Sequence, residues 1–194
     1  MFKRLVCFAG VTAFAAATAF AQNPRGAATA SVGGKKLAVD YGRPALKGRS
    51  LDELLKQLPA DRMWRAGENQ VSTINLEGDA MIGGKKIPAG KYSVYVHAGE
   101  NRQWELVVNR DLGIALGKIY DKASEAMKNE PWPHISDYTA AIGSQEVARI
   151  SMTSAKAAAP ADQFTIAFAP AGKGATMTLA WADQSWSTEV TPAK

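Results

Sequence analysis

Short runs of β-prone residues, each bounded by glycine, proline or other turn residues, recur along most of this chain. Such runs are typical of strands joined by turns, whereas helices need longer segments with apolar residues three and four positions apart. The predicted strands cover residues 36–40, 71–76, 92–97, 104–109, 147–153, 164–168 and 176–181, with an eighth at about 185–190. Such a series predicts a mainly β fold, a single antiparallel β-sandwich with one or two short helices.

The third and fourth runs have the alternation expected of strands with one buried face. Side chains on a strand point alternately to its two faces, so each run has one apolar face. These faces carry Tyr92, Val94 and Val96 in one run, and Trp104, Leu106 and Val108 in the next. Because only a short segment containing glycine separates the runs, they are predicted to pair as an antiparallel hairpin with a longer loop.

Helix is predicted at two places. Ser50 can cap a helix over 50–58, where Glu53 completes a capping box and Pro59 ends the run. The leucines of this helix recur at helical spacing and are expected to cover the core, although such a stripe can also dock a partner. A second short helix is predicted over 122–127.

The sequence Gly-Gly-Lys-Lys occurs at 33–36 and again at 83–86. It could record a duplicated β unit, but we favour two independent hairpin turns. Adjacent glycines permit the positive φ angles of tight turns, and lysines discourage an exposed edge from pairing with another chain.

The first 21 residues resemble a cleaved export signal. Lys3 and Arg4 precede an apolar run over 5–19, and Ala-Phe-Ala at 19–21 supplies a small-residue cleavage pattern. The apolar run is shorter than the roughly 20 residues that span a bilayer, and no later segment approaches that length, so no transmembrane segment is predicted. We expect a periplasmic or secreted protein with one domain over 22–194 and a core at about 30–190.

Cysteine content and charge exclude several classes of protein. The single cysteine, Cys7, lies within the predicted signal, so the mature chain would have no disulfide or reactive thiol. Removal of Lys3 and Arg4 lowers the formal charge from +5 to +3. This charge is small and scattered, so no nucleic-acid partner is predicted.

The sequence contains no recognised catalytic constellation. The two histidines, His97 and His134, are too few and too far apart for a known zinc motif. No catalytic residue, metal site or cofactor is therefore predicted. An alternative is a metal-assisted, hydrolase-like enzyme that uses His97 or His134 with a carboxylate such as Glu100.

Four clusters between Tyr41 and Tyr95 combine basic, aromatic and glycine residues. They are Tyr-Gly-Arg-Pro at 41–44, Lys-Gly-Arg at 47–49, Trp-Arg-Ala-Gly-Glu-Asn at 64–69 and Pro-Ala-Gly-Lys-Tyr-Ser-Val-Tyr at 88–95. Guanidinium groups can hold an anion with two parallel hydrogen bonds, and aromatic faces can stack on a ligand. The predicted ligand site consists of Tyr41, Arg43, Arg49, Trp64, Arg65, Glu68 and Asn69.

The chemistry of these residues suits a small anionic molecule or an acidic sugar. The structural alternative is that the arginines bind loop carbonyl groups and pair with Asp40, Asp61 or Glu68, fastening two loops to the sandwich.

In these same clusters the chain resembles an exported bacterial family known as domain of unknown function 2911. The resemblance includes the 40–44, 47–49 and 64–69 motifs, the hairpin over 83–95 and a late aromatic strand near 179–181, and it extends over about 30–190. It implies a compact, exported β-rich domain and no particular activity. The segment 111–145, which includes Trp132, is longer than is usual in this family.

These observations predict an exported ligand-binding or interaction module with an arginine and aromatic cleft. An envelope protein is the other partner considered for such a module. A purely structural envelope protein, with an apolar surface patch and no pocket, is a further alternative.

Overall fold

The computed structural model describes residues 25–194. The predicted export signal and its cleavage site lie outside the described residues.

Thirteen strands and two short helices form the fold. In chain order the strands are β1 Gly26–Val32, β2 Lys35–Tyr41, β3 Met63–Trp64, β4 Thr73–Leu76, β5 Ala80–Ile82, β6 Lys85–Ile87, β7 Gly90–Ala98, β8 Trp104–Asn109, β9 Ile114–Ala115, β10 Pro131–Trp132, β11 Glu146–Ser151, β12 Thr153–Ala171 and β13 Gly174–Pro192. The helices are α1 Leu51–Leu55 and α2 Tyr138–Ile142, and single 3-10 turns occur at Glu100–Arg102, Leu116–Lys118 and Gly143–Gln145. Among residues 25–194 no helix is long and apolar enough to cross a membrane.

Eleven of the strands form two facing sheets, as the sequence predicts, and β9 and β10 pair separately. One has the order β1-β2-β4-β7-β8-β11, with β3 also paired to β7, and the other has the order β12-β13-β5-β6. Every pairing is antiparallel. Apolar side chains from both sheets form one continuous buried cluster, so the predicted antiparallel β-sandwich is confirmed.

The predicted hairpin is β7-β8. Val94 pairs with Val108 and Val96 with Leu106, and all four side chains lie in the core between the sheets. Tyr95 points to the other face of the same sheet and belongs to a smaller cluster with Tyr138. Segment 111–145 therefore covers part of the outer face of this sheet.

The two Gly-Gly pairs form hairpin turns. Gly33 and Gly34 have φ angles of 58° and 79° in the β1-β2 turn, and Gly83 and Gly84 have 52° and 77° in the β5-β6 turn. Positive φ at both central turn positions matches the right-handed twist of the flanking strands. The repeated motif is thus explained by turn geometry.

The last two strands predicted from the sequence, at 176–181 and about 185–190, form one continuous strand, β13. β13 continues through 182–184, where we predicted a break, and its pairing with β12 shifts register near Ala182, whose φ is 55°. The extra residues at these register shifts lie in β12, so β12 bulges here while β13 continues without a break.

The first predicted helix forms and the second does not. Ser50 and Glu53 make the expected capping box, but α1 ends five residues after the cap. The helix predicted over 122–127 is wrong, because this segment forms isolated turns followed by the β10 bridge at Pro131. The short helix α2, one turn of buried and exposed residues beside the sheet, was not predicted.

Candidate functional site

Two loops carry the predicted ligand residues, and they contact each other through glycines. One loop follows β2 and the other follows β3. A Cβ atom at Gly42 would lie 2.1 Å from the carbonyl oxygen of Glu68 and 2.4 Å from its backbone nitrogen. A Cβ atom at Gly67 would lie 2.7 Å from Ser72 Oγ and 2.9 Å from the backbone nitrogen of Gly42. The two loops can approach this closely only because both positions lack a side chain.

The second loop is also held in an uncommon backbone conformation. Ala66 is fully buried with a φ of 47°, and Asn69 has a φ of 59°. Alanine rarely adopts the left-handed region, whereas asparagine tolerates it. Ser72 Oγ donates a hydrogen bond to the Ala66 carbonyl oxygen at 2.9 Å. This bond and the glycine contacts fix the backbone that carries Trp64, Arg65 and Glu68.

A cleft of about 310 Å³ lies beside these loops. Four of the seven predicted ligand residues line it: Arg49, Trp64, Arg65 and Glu68. Its other walls come from Pro44, Leu54, Leu55, Gln57, Leu58, Pro59, Met63, Gly67, Ile135 and Trp181. The cleft thus combines two guanidinium groups and one carboxylate with several apolar side chains.

Of the two arginines that line this cleft, Arg65 makes fewer hydrogen bonds to the rest of the protein. The side chain is half-buried, and its only hydrogen bond within residues 25–194 runs from Nε to the Gly67 carbonyl oxygen at 3.3 Å. Burial lowers the pKa of the guanidinium, and the neighbouring Glu68 carboxylate acts in the opposite direction. Because arginine keeps its charge in proteins, a partly desolvated cation faces the cleft with both Nη groups available.

Arg49 is held mainly by its own turn. Nε donates to the Leu46 carbonyl oxygen at 2.9 Å, and Nη2 donates to the Ala45 carbonyl oxygen at 3.3 Å. This is the carbonyl binding expected under the structural alternative. Arg49 therefore contributes positive potential at the rim of the cleft, with fewer free donors than Arg65.

Two charged groups in the paired loops have buried atoms with no partner. Arg43 Nε and Glu68 Oε1 are both shut off from solvent, and neither takes part in a hydrogen bond within residues 25–194. A buried polar atom without a partner costs free energy, which native structures usually avoid. Within residues 25–194, these two buried atoms therefore lack the hydrogen-bond partners that would offset their removal from solvent.

Three of the predicted ligand residues do not line the cleft. Tyr41 is buried, donates a hydrogen bond from its hydroxyl to the Ile166 carbonyl oxygen at 3.2 Å, and packs edge-on against Phe164. Arg43 lies over Gly26 beside the Tyr41 ring, and Asn69 forms the left-handed turn described above. Tyr41, Arg43 and Asn69 shape the loops that present the other four residues.

Two of the three carboxylates named in the structural alternative, Asp40 and Asp61, have partners other than the predicted ligand residues. Arg25 donates from Nε to Asp40 Oδ1 at 2.6 Å and reaches two carbonyl groups of the second loop. Asp61 accepts from the Thr139 hydroxyl at 2.8 Å. The sequence analysis did not identify Arg25 as a loop clamp, because a single arginine before a strand carries no positional signal.

Trp64 has an aromatic neighbour that the sequence analysis did not include in the site. Its ring stacks on that of Trp181, with centroids 5.1 Å apart and planes 16° apart, and packs against Phe164 at 4.7 Å. One face of Trp64 is thus occupied, and the two indoles together form one apolar wall. The leucines of the predicted helix cover the core as expected: Leu51 is buried in it, and Leu54, Leu55 and Leu58 pack against it while also lining the cleft.

Each histidine lies next to a carboxylate. His97 Nδ1 is 3.1 Å from Glu105 Oε2, and His134 lies between Asp137 at 3.3 Å and Asp111 at 3.8 Å. The neighbour of His97 is thus a residue on the adjacent strand rather than Glu100. Within residues 25–194 no set of three or more histidine, cysteine, aspartate and glutamate side chains is placed to hold a metal ion.

Comparison with known proteins identifies a family. A family model described as "Protein of unknown function (DUF2911)" matches residues 23–190. No curated protein and no solved structure matches this chain. The matched range contains both loops, the cleft and segment 111–145. The chain therefore belongs to the DUF2911 family of proteins of unknown function.

Proposed function

We propose that this protein is an exported binding module that holds a small carboxylate ligand in the Arg65 cleft. The observation that supports this most directly is the half-buried Arg65, which lines the cleft and has no carboxylate bonded to it within residues 25–194. A carboxylate can accept two parallel hydrogen bonds from one guanidinium, and such charge-assisted bonds are stronger in a partly desolvated site.

The lining of the cleft favours a carboxylate attached to an apolar body. Trp64, Trp181 and the leucines of α1 offer no hydrogen-bonding groups for the many hydroxyls of an acidic sugar, apart from the indole N–H groups. The Trp181 N–H is already engaged with the Asp162 carbonyl oxygen at 3.2 Å. An apolar group of the ligand would instead gain from contact with these walls.

Substitution of Arg65 by glutamine is expected to weaken binding of 3-phenylpropionate about tenfold or more. The variant loses the charged partner of the carboxylate, and a hydrogen bond to a charged group contributes about 1.5–3 kcal/mol. Isothermal titration calorimetry of the protein over 22–194 would measure the change in Kd.

Arg110→Gln is the matched control, because Arg110 is exposed and does not line the cleft. Thermal unfolding of both variants would separate a binding defect from a folding defect. Equal affinity of the wild type and Arg65→Gln for 3-phenylpropionate would refute a carboxylate site at Arg65.

A role in self-association is a second candidate, supported by a separate surface. The large apolar side chains that are most exposed among residues 25–194 all lie in segment 111–145: Leu112, Ile119, Tyr120 and Ile135. Residues 110–135 carry four basic and four acidic side chains, so this surface would not repel a second copy of the chain. A mass that rises with concentration in sedimentation experiments, and falls in Ile119→Ser, would favour this function; a monomer throughout would exclude it.

Export is part of the proposal and is supported by the sequence of the first 21 residues. Lys3, Arg4, the apolar run and the Ala-Phe-Ala site have the order of a secretory signal. Recovery of a periplasmic or secreted protein whose intact mass begins at Gln22 would support it, and an uncleaved chain in the cytoplasm would contradict it.

A further inference from the structure

Glu68 gives the cleft a second recognition group of opposite charge. It lines the cleft, its Oε1 atom is buried without a donor, and its carboxylate accepts no hydrogen bond within residues 25–194. A carboxylate at the wall of an anion site would repel a simple anion, because like charges at short range destabilise one another. A ligand that binds beside Glu68 is therefore expected to carry a hydrogen-bond donor or a positive charge.

Arg65 and Glu68 do not neutralise each other directly. They are three residues apart in one loop, and the carboxylate is close enough to influence the guanidinium, yet no salt bridge joins them. The cleft thus presents a cation and an anion side by side, each with unused hydrogen-bonding capacity. The complementary ligand has an adjacent carboxylate and amine.

We infer that the ligand of this cleft is zwitterionic, namely a free α-amino acid with an apolar or aromatic side chain. This inference rests on the proposed carboxylate site and extends it. The α-carboxylate would bind Arg65, the α-ammonium group would donate to the second carboxylate oxygen of Glu68, which is not shut off from solvent, and the side chain would lie against Trp64 and the α1 leucines. One carbon atom separates the carboxylate and the ammonium group of an amino acid. These two neighbouring groups match Arg65 and Glu68, which lie three residues apart in one loop.

The cleft is also of the right size and character. Its volume of about 310 Å³ lies at the lower end of the range for small-molecule sites. Its apolar lining comes from the leucines of α1, Trp181 and Ile135. A single apolar amino acid fits into a cleft of this volume, whereas a long peptide would extend beyond it.

Arg43 is the competing explanation for Glu68. Its buried Nε also lacks a partner, and the Gly42 contact brings the two loops together at Glu68. A water molecule shared between Arg43 and Glu68 would satisfy both atoms without any ligand. In that case an amine on the ligand would bring no gain in affinity.

Three matched probes test the inference: L-phenylalanine, 3-phenylpropionate, which lacks the amine, and phenethylamine, which lacks the carboxylate. At pH 7 the wild-type protein is expected to bind L-phenylalanine about tenfold more tightly than either of the others, because each charged contact adds about one factor of ten. In Glu68→Gln the preference for L-phenylalanine over 3-phenylpropionate should largely disappear.

The control variant is Glu189→Gln, which removes an exposed carboxylate on β13 that does not line the cleft. It should keep the full preference. The wild-type series is informative even if Glu68→Gln unfolds, because the three probes differ only in their charged groups.

The two proposals fail in different ways. Arg65-dependent binding of 3-phenylpropionate with no gain for L-phenylalanine would overturn the zwitterion inference and leave the carboxylate site intact. An equal gain for L-phenylalanine in the wild type and in Glu68→Gln would also overturn the zwitterion inference and leave the carboxylate site intact. Failure of both carboxylates to bind would overturn both proposals together.

Discussion

Gly42→Ala is expected to destabilise the protein by about 3 kcal/mol, at the upper end of the usual range for overpacking. The added methyl group would lie 2.1 Å from the Glu68 carbonyl oxygen and 2.4 Å from its backbone nitrogen. Neither atom belongs to a flexible side chain, so one whole loop must move to admit the methyl group. Urea denaturation of the variant and the wild type would measure the loss in free energy of unfolding, with the same dependence of that free energy on urea concentration applied to both proteins.

The matched control is Gly143→Ala. Gly143 has a φ of −56°, and a Cβ atom there would have no neighbour closer than 3.8 Å. This substitution should change stability by no more than about 0.5–1 kcal/mol, in either direction. Similar losses in Gly42→Ala and Gly143→Ala would show that the contact between the two loops is not tight.

Gly42→Ala should also impair the cleft in any protein that remains folded. Moving the first loop away from Glu68 releases the backbone that carries both Glu68 and Arg65. We therefore expect weaker binding of 3-phenylpropionate under conditions where Gly143→Ala binds normally. Wild-type affinity in a destabilised Gly42→Ala protein would show that loop contact and ligand geometry are independent.

The sequence predicted the sheet elements that have a clear local pattern. The β7-β8 hairpin alternates apolar and other residues over most of its length, and the face assignment of Val94 and Val96 is correct. The β1 strand, which consists largely of small residues, was missed because alanine and glycine give little β signal. The end of α1 was placed too late because its leucine spacing continues beyond the last helical hydrogen bonds.

The candidate site was only partly predictable for a different reason. The clusters containing Arg49, Trp64, Arg65 and Glu68 are near one another in sequence, and the structure brings these four to one cleft. Trp181 and Ile135 reach the same cleft from distant parts of the chain, and no local pattern connects them with it. Tyr41 was expected to stack on a ligand, but exposure of an aromatic ring depends on the opposite sheet, which its own motif does not reveal.

Trp186→Ala is expected to cause the largest loss of stability, about 4 kcal/mol, within the range for deletion of a buried aromatic side chain. Trp186 is completely buried, and its ring lies 3.5 Å from that of Trp104 with the planes 2° apart. Its Nε1 also donates to the Arg102 carbonyl oxygen at 2.9 Å. Because typical domains are stable by only 5–15 kcal/mol, this variant should unfold at a markedly lower urea concentration.

Two phenylalanine substitutions distinguish the contribution of the indole hydrogen bond to stability from the contribution of the ring. Trp104 Nε1 is buried without a partner, so Trp104→Phe removes an unsatisfied donor together with part of the ring. Trp186→Phe removes the same ring volume and a satisfied hydrogen bond. We expect Trp186→Phe to be less stable than Trp104→Phe by about 2 kcal/mol, since a net hydrogen bond is lost in one case and a desolvation penalty is relieved in the other. Equal losses would mean that stacking of the two indoles determines stability here, and that the polar edges of the rings contribute little.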